Sequence, residues 1–173
     1  DKSIISNKEK IVLIVSRLYE PEKRISICLK IWKKIQDYGL TDWKLVIVGH
    51  GPSESQYKYF VKRNNIKNVI FEGKKNSYPY YLKASIFMMT SRFEGWGLTL
   101  SESLQTGVVP IVFDSYASVS EIISNNYNGI LIKDNDTSSY YKHLKKMIID
   151  EKYRTKFAFN AIDSAEKFNP ALV

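Results

Sequence analysis

The sequence is poor in the residues that define several protein classes. Its 173 residues include one cysteine, Cys28, so no internal disulfide can form, which fits a reducing compartment. No apolar run approaches the roughly 18 residues of a membrane span. The chain opens at Asp1 on a polar stretch, without a Met or a signal peptide, and this start predicts a fragment of a longer protein. With only His50 and His143, a histidine metal cluster is not supported.

The positive charge lacks the clustering that nucleic acid binding requires. The formal net charge is +8, but the lysines are scattered along the chain and form no dense basic tract. The sequence also contains no zinc-finger or RNA-binding signature, no P-loop lysine motif and no G-x-S-x-G motif. We therefore expect no nucleic acid partner.

Short apolar runs alternate with longer amphipathic stretches. We predict strands over residues 11–15, 43–48, 69–71, 86–89, 108–113 and 129–132. We predict helices from residue 25 to about 39, and over about 54–64, 79–83, 97–107, 136–150 and 151–168. Pro21 is expected to break a loop, and Pro110 to mark a strand end or a position without a ladder bond. The alternation predicts an α/β fold, a Rossmann-like three-layer domain with a parallel sheet of about six strands.

The first long helix shows its buried side directly in the sequence. Ile25, Cys28, Leu29 and Trp32 follow the i, i+3, i+4, i+7 spacing of one helical face. Cys28 is therefore predicted to lie in the core rather than to act as a nucleophile. Ligands of such sheets bind at the carboxyl ends of the strands, where the loops with interesting residues lie.

The most informative of these loops runs from Ser91 to Glu102. Gly95 and Gly97 surround Trp96 just before a helix, and glycines let a backbone approach a ligand closely. The helix start offers free amides and the positive end of the dipole, which suit a phosphate. Glu102, on a helix with many apolar and small neighbours, could accept ribose hydroxyls, since a carboxylate accepts several hydrogen bonds. The alternative is that Glu102 faces solvent and Glu94 is an ordinary loop acid.

Two further loops carry candidate phosphate ligands. Arg17 and Lys23 follow the first strand and could neutralise a pyrophosphate, although this segment read in isolation favours two solvated cations in a loop. Gly49 and Gly51, after the second strand, could form a phosphate loop, but the third glycine of a dinucleotide fingerprint is missing. His50, between them, could be a general base or simply polar surface.

The segment Asp134-Asn135-Asp136 matches the D-x-D pattern with which some glycosyltransferases of a different fold hold a metal. Here it follows a short strand and opens a helix, where Asp and Asn are favoured as caps. We interpret it as a helix cap and predict no metal site.

Taken together, these segments resemble the donor domain of the family-4 retaining glycosyltransferases, which have the GT-B architecture. The resemblance covers nearly the whole chain, with the E-x7-E pair Glu94 and Glu102 at its centre. The other matching pieces are Ser16-Arg17-Leu18 with Glu22-Lys23, Val46-Ile47-Val48-Gly49-His50-Gly51-Pro52, Phe71-Glu72-Gly73, Gly107-Val108-Val109-Pro110, Glu121-Ile122-Ile123 and Asn128-Gly129. The fold implied is the C-terminal half of a GT-B protein, a nucleotide-sugar-binding domain over residues 1–173 whose N-terminal acceptor domain is absent.

The resemblance also implies roles for individual residues. Arg17 and Lys23 are similar to the pair that binds the donor pyrophosphate, and Glu102 to the ribose ligand. Glu94 is similar to the residue that grips the sugar hydroxyls, and Lys74 lies where family members bind the base. Backbone amides complete the implied site: those of Gly95, Trp96 and Gly97 for the sugar, and those of Leu98 and Thr99 for the phosphate.

Three departures from the family pattern are visible. One extra residue separates Arg17 from Lys23, which makes the role of Lys23 less secure than that of Arg17. His50 replaces the usual acidic or amide residue, and the helix from Glu102 to Gly107 is less rich in alanine. The last departure affects packing rather than the site.

The activity implied is retaining, metal-independent transfer of a sugar, of hexosyl type, from a UDP- or GDP-sugar to a saccharide or lipid-linked acceptor. The setting implied is bacterial surface polysaccharide synthesis in the cytoplasm, with peripheral association at the inner face of the membrane. Such a chain needs no cofactor, is paired with the N-terminal domain of the same protein and is expected to be inactive alone. The alternatives are a dinucleotide-binding oxidoreductase domain, a non-catalytic partner subunit, and a GT-B epimerase or phosphorylase.

Overall fold

All six predicted strands are present in the computed structural model, which describes residues 1–168. They are β1 (Ile11–Val15), β2 (Lys44–Val48), β3 (Val69–Gly73), β4 (Ile86–Met89), β5 (Val109–Asp114) and β6 (Ile130–Lys133). They form one sheet of order β3-β2-β1-β4-β5-β6, and every neighbouring pair is parallel. This is the order of the doubly wound nucleotide-binding fold and confirms the predicted Rossmann-like sheet. The last five residues of the predicted domain, 169–173, lie outside the described residues.

The helices also follow the prediction, with three short additions. The α-helices are α1 (Glu20–Lys23), α2 (Ile25–Tyr38), α3 (Glu54–Arg63), α4 (Tyr78–Lys83), α5 (Leu98–Gln105), α6 (Val119–Ile122), α7 (Thr137–Ile149) and α8 (Glu151–Ala165). A 3₁₀ helix, Lys2–Asn7, precedes β1, and another, Glu166–Phe168, follows α8. The first 3₁₀ helix, α1 and α6 were not predicted, because four to six residues are too few to show a helical period.

Two prolines have clear positions. The expectation that Pro21 breaks a loop is wrong: it lies in the first turn of α1, where a missing N–H costs no helical bond. Pro110 is the second residue of β5 and lies opposite Phe87 of β4, one residue before the pairing with β6 begins at Ile111. The position near a strand start agrees with the prediction for Pro110.

The core consists of two layers, one on each face of the sheet. Val12 and Ile14 of β1 pack into one layer, with side chains of α2 and α7, and Leu13 into the other, with side chains of α4 and α5. Cys28 is fully buried in the first layer, as predicted, and burial raises the pKa of its thiol to about 12. A thiol with so high a pKa is not a nucleophile at neutral pH. Among residues 1–168, no helix combines the length and apolarity needed to cross a membrane.

The strand order fixes where a ligand can reach several loops at once. The chain crosses to opposite sides of the sheet after β1 and β4, which are neighbours, so the loops that follow them diverge and leave a crevice. The loop after β1 carries Arg17, and the loop after β4 carries Glu94. The topology alone therefore brings the two main candidate segments to one edge of the sheet.

Candidate functional site

A salt bridge joins the two sides of this crevice. Lys23, the last residue of α1, donates from Nζ to Oε1 of Glu94 at 2.8 Å. Ser91 donates its hydroxyl to the same carboxylate oxygen, also at 2.8 Å. The side chains of Lys23 and Glu94 are only 14% and 18% exposed, so water screens the pair poorly. The sequence named both residues but assigned them to different parts of a ligand.

A buried arginine that the sequence analysis missed lies directly beside this pair. Arg24 joins α1 to α2 with a left-handed backbone, φ +49° and ψ +42°, which a residue other than glycine rarely adopts. Its Nε donates to the carbonyl of Thr90 at 2.9 Å, and its Nη2 donates to the carbonyl of Ser91 at 3.1 Å. Nη2 also donates to Asp134 at 2.6 Å, and Nη1 donates to Asn135 at 3.0 Å. Arg24 thus fastens the ends of β4 and β6 to the start of α2.

The D-x-D segment has two separate structural roles. Asp136 is the N-cap of α7 and accepts a hydrogen bond from the amide of Ser139 at 3.0 Å, which confirms the predicted cap. Asp134 instead pairs with Arg24, a contact that the sequence did not predict. Within residues 1–168 there is no cluster of three His, Cys, Asp or Glu side chains that could hold a metal ion.

The loop after β4 ends in an exposed helix start. Gly97 is the N-cap of α5 with φ +78°, and a Cβ there would lie 3.1 Å from the hydroxyl of Tyr116. The amides of Leu98 and Thr99 follow in the first helical turn, where backbone N–H groups have no partner within the helix. Gly95 and the side chains of Phe93, Trp96 and Leu98 are exposed. An anion can therefore reach this helix start from solvent.

Glu102 lies on the solvent-facing side of α5. Its neighbours Leu100, Ser101, Ser103 and Leu104 are buried, whereas Leu98 is exposed. Glu102 is exposed too, as in the alternative in which it faces solvent. Beneath the carboxylate lies Tyr81, which is fully buried and donates its hydroxyl to the carbonyl of Thr99 at 3.2 Å. Burial, and then the charge and hydrogen bonding of Glu102, raise the pKa of Tyr81. Glu102 therefore presents an exposed carboxylate that rests on a neutral phenol.

Arg17 borders an open cavity beside the second loop. The cavity has a volume of about 440 Å³ and is lined by Ser16, Arg17, Gly49, His50, Gly51 and Pro52. The side chains of Arg17 and His50 are exposed, and the guanidinium of Arg17 lies 5.2 Å from the ring centre of Tyr19. A flexible cation over an open cavity can follow an anionic ligand as it enters.

Gly49 and Gly51 in this loop are required by the packing of the fold itself. A Cβ on Gly49 would lie 1.7 Å from the carbonyl oxygen of Ser16, and one on Gly51 would lie 2.5 Å from that of Leu18. The loops meet closely because the amide of Leu18 donates to the carbonyl of His50 at 2.9 Å. Close packing of the two loops therefore requires both glycines, and their phosphate-binding role stays a prediction.

Lys74 lies further along the same edge. It follows Gly73, the last residue of β3, and its side chain is exposed. The carbonyl of Gly73 accepts a hydrogen bond from the amide of Gly49 at 2.8 Å, which links this loop to the cavity beside Arg17. The position is compatible with a ligand that extends across β1, β2 and β3, and the base-binding role of Lys74 stays a prediction.

The geometry suits an elongated anion with hydroxyl groups. The groups of the site that attract an anion are the guanidinium of Arg17 and the backbone amides at the start of α5. The site also contains two carboxylates, those of Glu94 and Glu102. Carboxylates accept hydrogen bonds from hydroxyl groups, whereas the amides and the guanidinium donate to phosphate oxygens. The arrangement therefore favours binding and positioning of such a ligand.

Comparisons with known proteins agree with this description. The family model "Glycosyl transferases group 1" matches residues 1–164. An α-1,4-N-acetyl-D-galactosaminyltransferase of Campylobacter jejuni, named for an acceptor linked to diphospho-undecaprenol, is 30% identical over 162 residues. That match covers 93% of this chain and 45% of the relative, so the chain spans less than half the length of this curated relative.

Two solved structures share the fold. The pneumococcal O-GlcNAc transferase GtfA in complex with UDP and GlcNAc is 22% identical with a TM-score of 0.85, over 94% of this chain and 33% of that one. The C-terminal domain of a glycosyl transferase group 1 family protein, LpcC of Francisella tularensis, is 22% identical with a TM-score of 0.78. The second match covers 94% of this chain and 87% of the other.

Proposed function

Because the chain belongs to the glycosyl transferases group 1 family, we propose that it binds the nucleotide-sugar donor of a glycosyltransferase whose acceptor site lies mainly in another domain. The observation that carries this proposal is the convergence, at one sheet edge, of cationic groups with two carboxylates. Its residues are Arg17, the Lys23–Glu94 pair, the first turn of α5 and Glu102. The near-complete match to an isolated C-terminal domain supports the division into a donor and an acceptor half.

The donor fits the site with its phosphates over the start of α5. Arg17 and the amides of Leu98 and Thr99 bind the diphosphate, and Lys23 reaches the same region once a ligand competes for it. Glu102 accepts the ribose hydroxyls, while Glu94 and the amides of residues 95–97 hold the sugar. We favour a uridine diphosphate sugar, since the GtfA structure of the same fold holds UDP. The base lies toward Lys74.

The reaction we propose is retaining, metal-independent transfer of a hexosyl group to a saccharide or lipid-linked acceptor in cytoplasmic surface polysaccharide synthesis. The name of the Campylobacter jejuni relative, with its diphospho-undecaprenol acceptor, supports a lipid-linked acceptor. Catalysis rests on positioning and on stabilising the leaving diphosphate with cations and amide dipoles. Metal independence is supported by the engagement of Asp134 with Arg24 and of Asp136 with the start of α7.

A thermal-shift panel tests this proposal. UDP-, GDP- and ADP-sugars are compared with NAD(H), each with and without EDTA, and we expect the largest shift from a UDP-sugar, unaffected by EDTA. The same isolated chain should transfer no sugar to an acceptor, since positioning of the acceptor requires the other domain. A shift from NAD(H) alone would favour the oxidoreductase alternative, and robust transfer by this chain would refute the division of the site between two domains.

A further inference from the structure

Arg24 makes contacts that reach both partners of the Lys23–Glu94 pair through the backbone. It directly follows Lys23, and its own carbonyl accepts a hydrogen bond from the hydroxyl of Thr90 at 2.9 Å. On the other side, its Nη2 donates to the carbonyl of Ser91, the residue whose hydroxyl binds Glu94. The main-chain segments that carry Lys23 and Glu94 are therefore both attached to Arg24, one through its backbone and the other through its guanidinium.

The guanidinium is itself held from the opposite direction. Asp134 and Asn135, which follow β6, accept from Nη2 and Nη1, and the ring centre of Phe113 in β5 lies 5.4 Å from the guanidinium carbon. The Arg24 side chain is 8% exposed, and that of Asp134 is 37% exposed. A planar guanidinium with partners on both edges has little freedom to rotate. Three strand ends thus determine its position.

The backbone of Arg24 indicates that this position is maintained against a local preference. A left-handed conformation is unfavourable for an arginine, and it persists only where surrounding contacts over-determine it. The side-chain bonds to Thr90, Ser91 and the two residues after β6 supply those contacts. Asn135 is also left-handed, with φ +66°, a conformation that asparagine adopts more readily than arginine.

We propose that Arg24, anchored by Asp134 and Asn135, is a positioning residue that holds Glu94 in place for the sugar end of the donor. This inference rests on the proposed function, and it gives Asp134 and Asn135 a part in ligand selectivity that is neither a metal site nor a helix cap. If the hydrogen bonds of the Arg24 side chain weaken, Glu94 moves relative to the start of α5. Contacts to the sugar weaken more than contacts to the diphosphate, which also binds Arg17 and backbone amides.

The test compares two variants in one segment by calorimetry with UDP and a UDP-sugar. UDP-galactose is the probe unless another UDP-sugar gives a larger thermal shift. Asp134→Asn keeps the side-chain shape but weakens the charge-assisted bond to Arg24, whereas Asp136→Asn alters only the cap of α7 and serves as the matched control. We expect Asp134→Asn to weaken UDP-galactose binding about fivefold, the equivalent of one charge-assisted bond made neutral, and UDP binding by less than twofold. Asp136→Asn should leave both affinities unchanged.

Two further variants keep the result independent of folding. Asn135→Gly removes one acceptor of Arg24 and is tolerated by the left-handed backbone, so it should reproduce the selective loss in a folded chain. Arg24→Lys keeps the charge but not the fork and should reproduce it as well. Equal losses for UDP and UDP-galactose, or no loss in Asn135→Gly and Asp134→Asn, would overturn the inference. Failure of the unmodified chain to bind any UDP-, GDP- or ADP-sugar would instead refute the proposed function.

Discussion

The ammonium of Lys23 and the carboxylate of Glu94, 71 positions apart in the sequence, form a partly buried salt bridge of 2.8 Å. Each partner is assigned to the donor, Lys23 to the diphosphate and Glu94 to the sugar. Without a donor they satisfy each other, so the crevice needs neither an unpaired buried cation nor an unpaired buried carboxylate. In the proposed complex, a donor that enters between them would replace one charge-assisted contact with two of its own.

The first prediction separates the ribose end of the site from the sugar end. Glu102→Gln should weaken UDP binding several-fold, because neutral hydrogen bonds to ribose replace charge-assisted ones that are each worth about 1 kcal/mol more. Glu94→Gln should weaken UDP-galactose binding by a similar factor but leave UDP binding nearly unchanged. Calorimetry with both ligands on both variants measures the difference.

Gln105→Ala is a suitable control for this comparison, since Gln105 is an exposed residue at the end of the same helix, α5. It should change neither affinity. If Glu94→Gln and Glu102→Gln have the same profile, or if neither changes binding, the assignment of the two carboxylates to different ends of the donor is wrong.

The second prediction concerns the exposed cation beside the open cavity. Arg17→Ala should weaken UDP and UDP-galactose alike, and the loss should be larger at about 10 mM salt than at about 150 mM, because charges are screened over about 30 Å and about 8 Å respectively. Arg63→Ala is the matched control: Arg63 is also exposed but ends α3, toward the opposite edge of the sheet. A loss that is independent of salt, or equal in both variants, would contradict a direct contact between Arg17 and the phosphates.

The third prediction tests the close approach of the first two loops. Gly49→Ala places a methyl group 1.7 Å from the carbonyl oxygen of Ser16, so the backbone must move, at a cost of about 2 kcal/mol or more. Gly39 also has a positive φ, +108° compared with +139° for Gly49, but a Cβ on Gly39 would have no atom within 4 Å. Gly39→Ala therefore measures the cost of the backbone conformation without a steric clash. Urea unfolding should show a distinctly larger loss of stability for Gly49→Ala. Equal losses would show that the conformation, and not the contact, requires glycine.

The sheet was predictable from the sequence because its central strands are buried on both faces. Continuous apolar runs such as Ile11–Val15 admit few other readings, and the alternation with amphipathic helices restricts the topology to right-handed crossovers. The short helices α1 and α6 escaped prediction for a physical reason: four residues make one turn, which tertiary contacts stabilise rather than any local pattern.

The sequence singles out most residues proposed for the candidate site, but it does not show their contacts. Glu94, Glu102 and Arg17 stand in recognisable local motifs, whereas the contacts of Arg24 join positions more than 60 residues apart. No local signal marks an arginine as buried, since arginine is among the residues most often exposed. The sequence predicted that Asp134 belongs to a helix cap. Its ion pair with Arg24 becomes visible only once β1 and β6 are placed in the same sheet.

Lys8 gives the fold a pH dependence near neutrality, at the sheet edge opposite to the candidate site. Its ammonium donates to the carbonyl of Tyr81 at 2.7 Å, beside a cavity of about 460 Å³. Burial lowers the pKa of Lys8 to about 7 from a usual 10.5. The other charged groups that line this cavity are Lys2, Glu9, Lys10, Glu151 and Arg154.

The last prediction follows from the direction of that shift. Between about pH 7 and about pH 10 the unfolded chain holds a proton on Lys8 that the folded chain has released, so the free energy of unfolding rises with pH. The contribution of Lys8 has a slope of up to about 1.4 kcal/mol per pH unit. Lys8→Met abolishes this term, so the free energy of unfolding of the unmodified chain minus that of the variant should increase as the pH rises from 7. Lys10→Met, at an exposed lysine on the same rim, leaves the slope unchanged. Parallel pH profiles for the unmodified chain and Lys8→Met would show that Lys8 keeps its proton in the folded state.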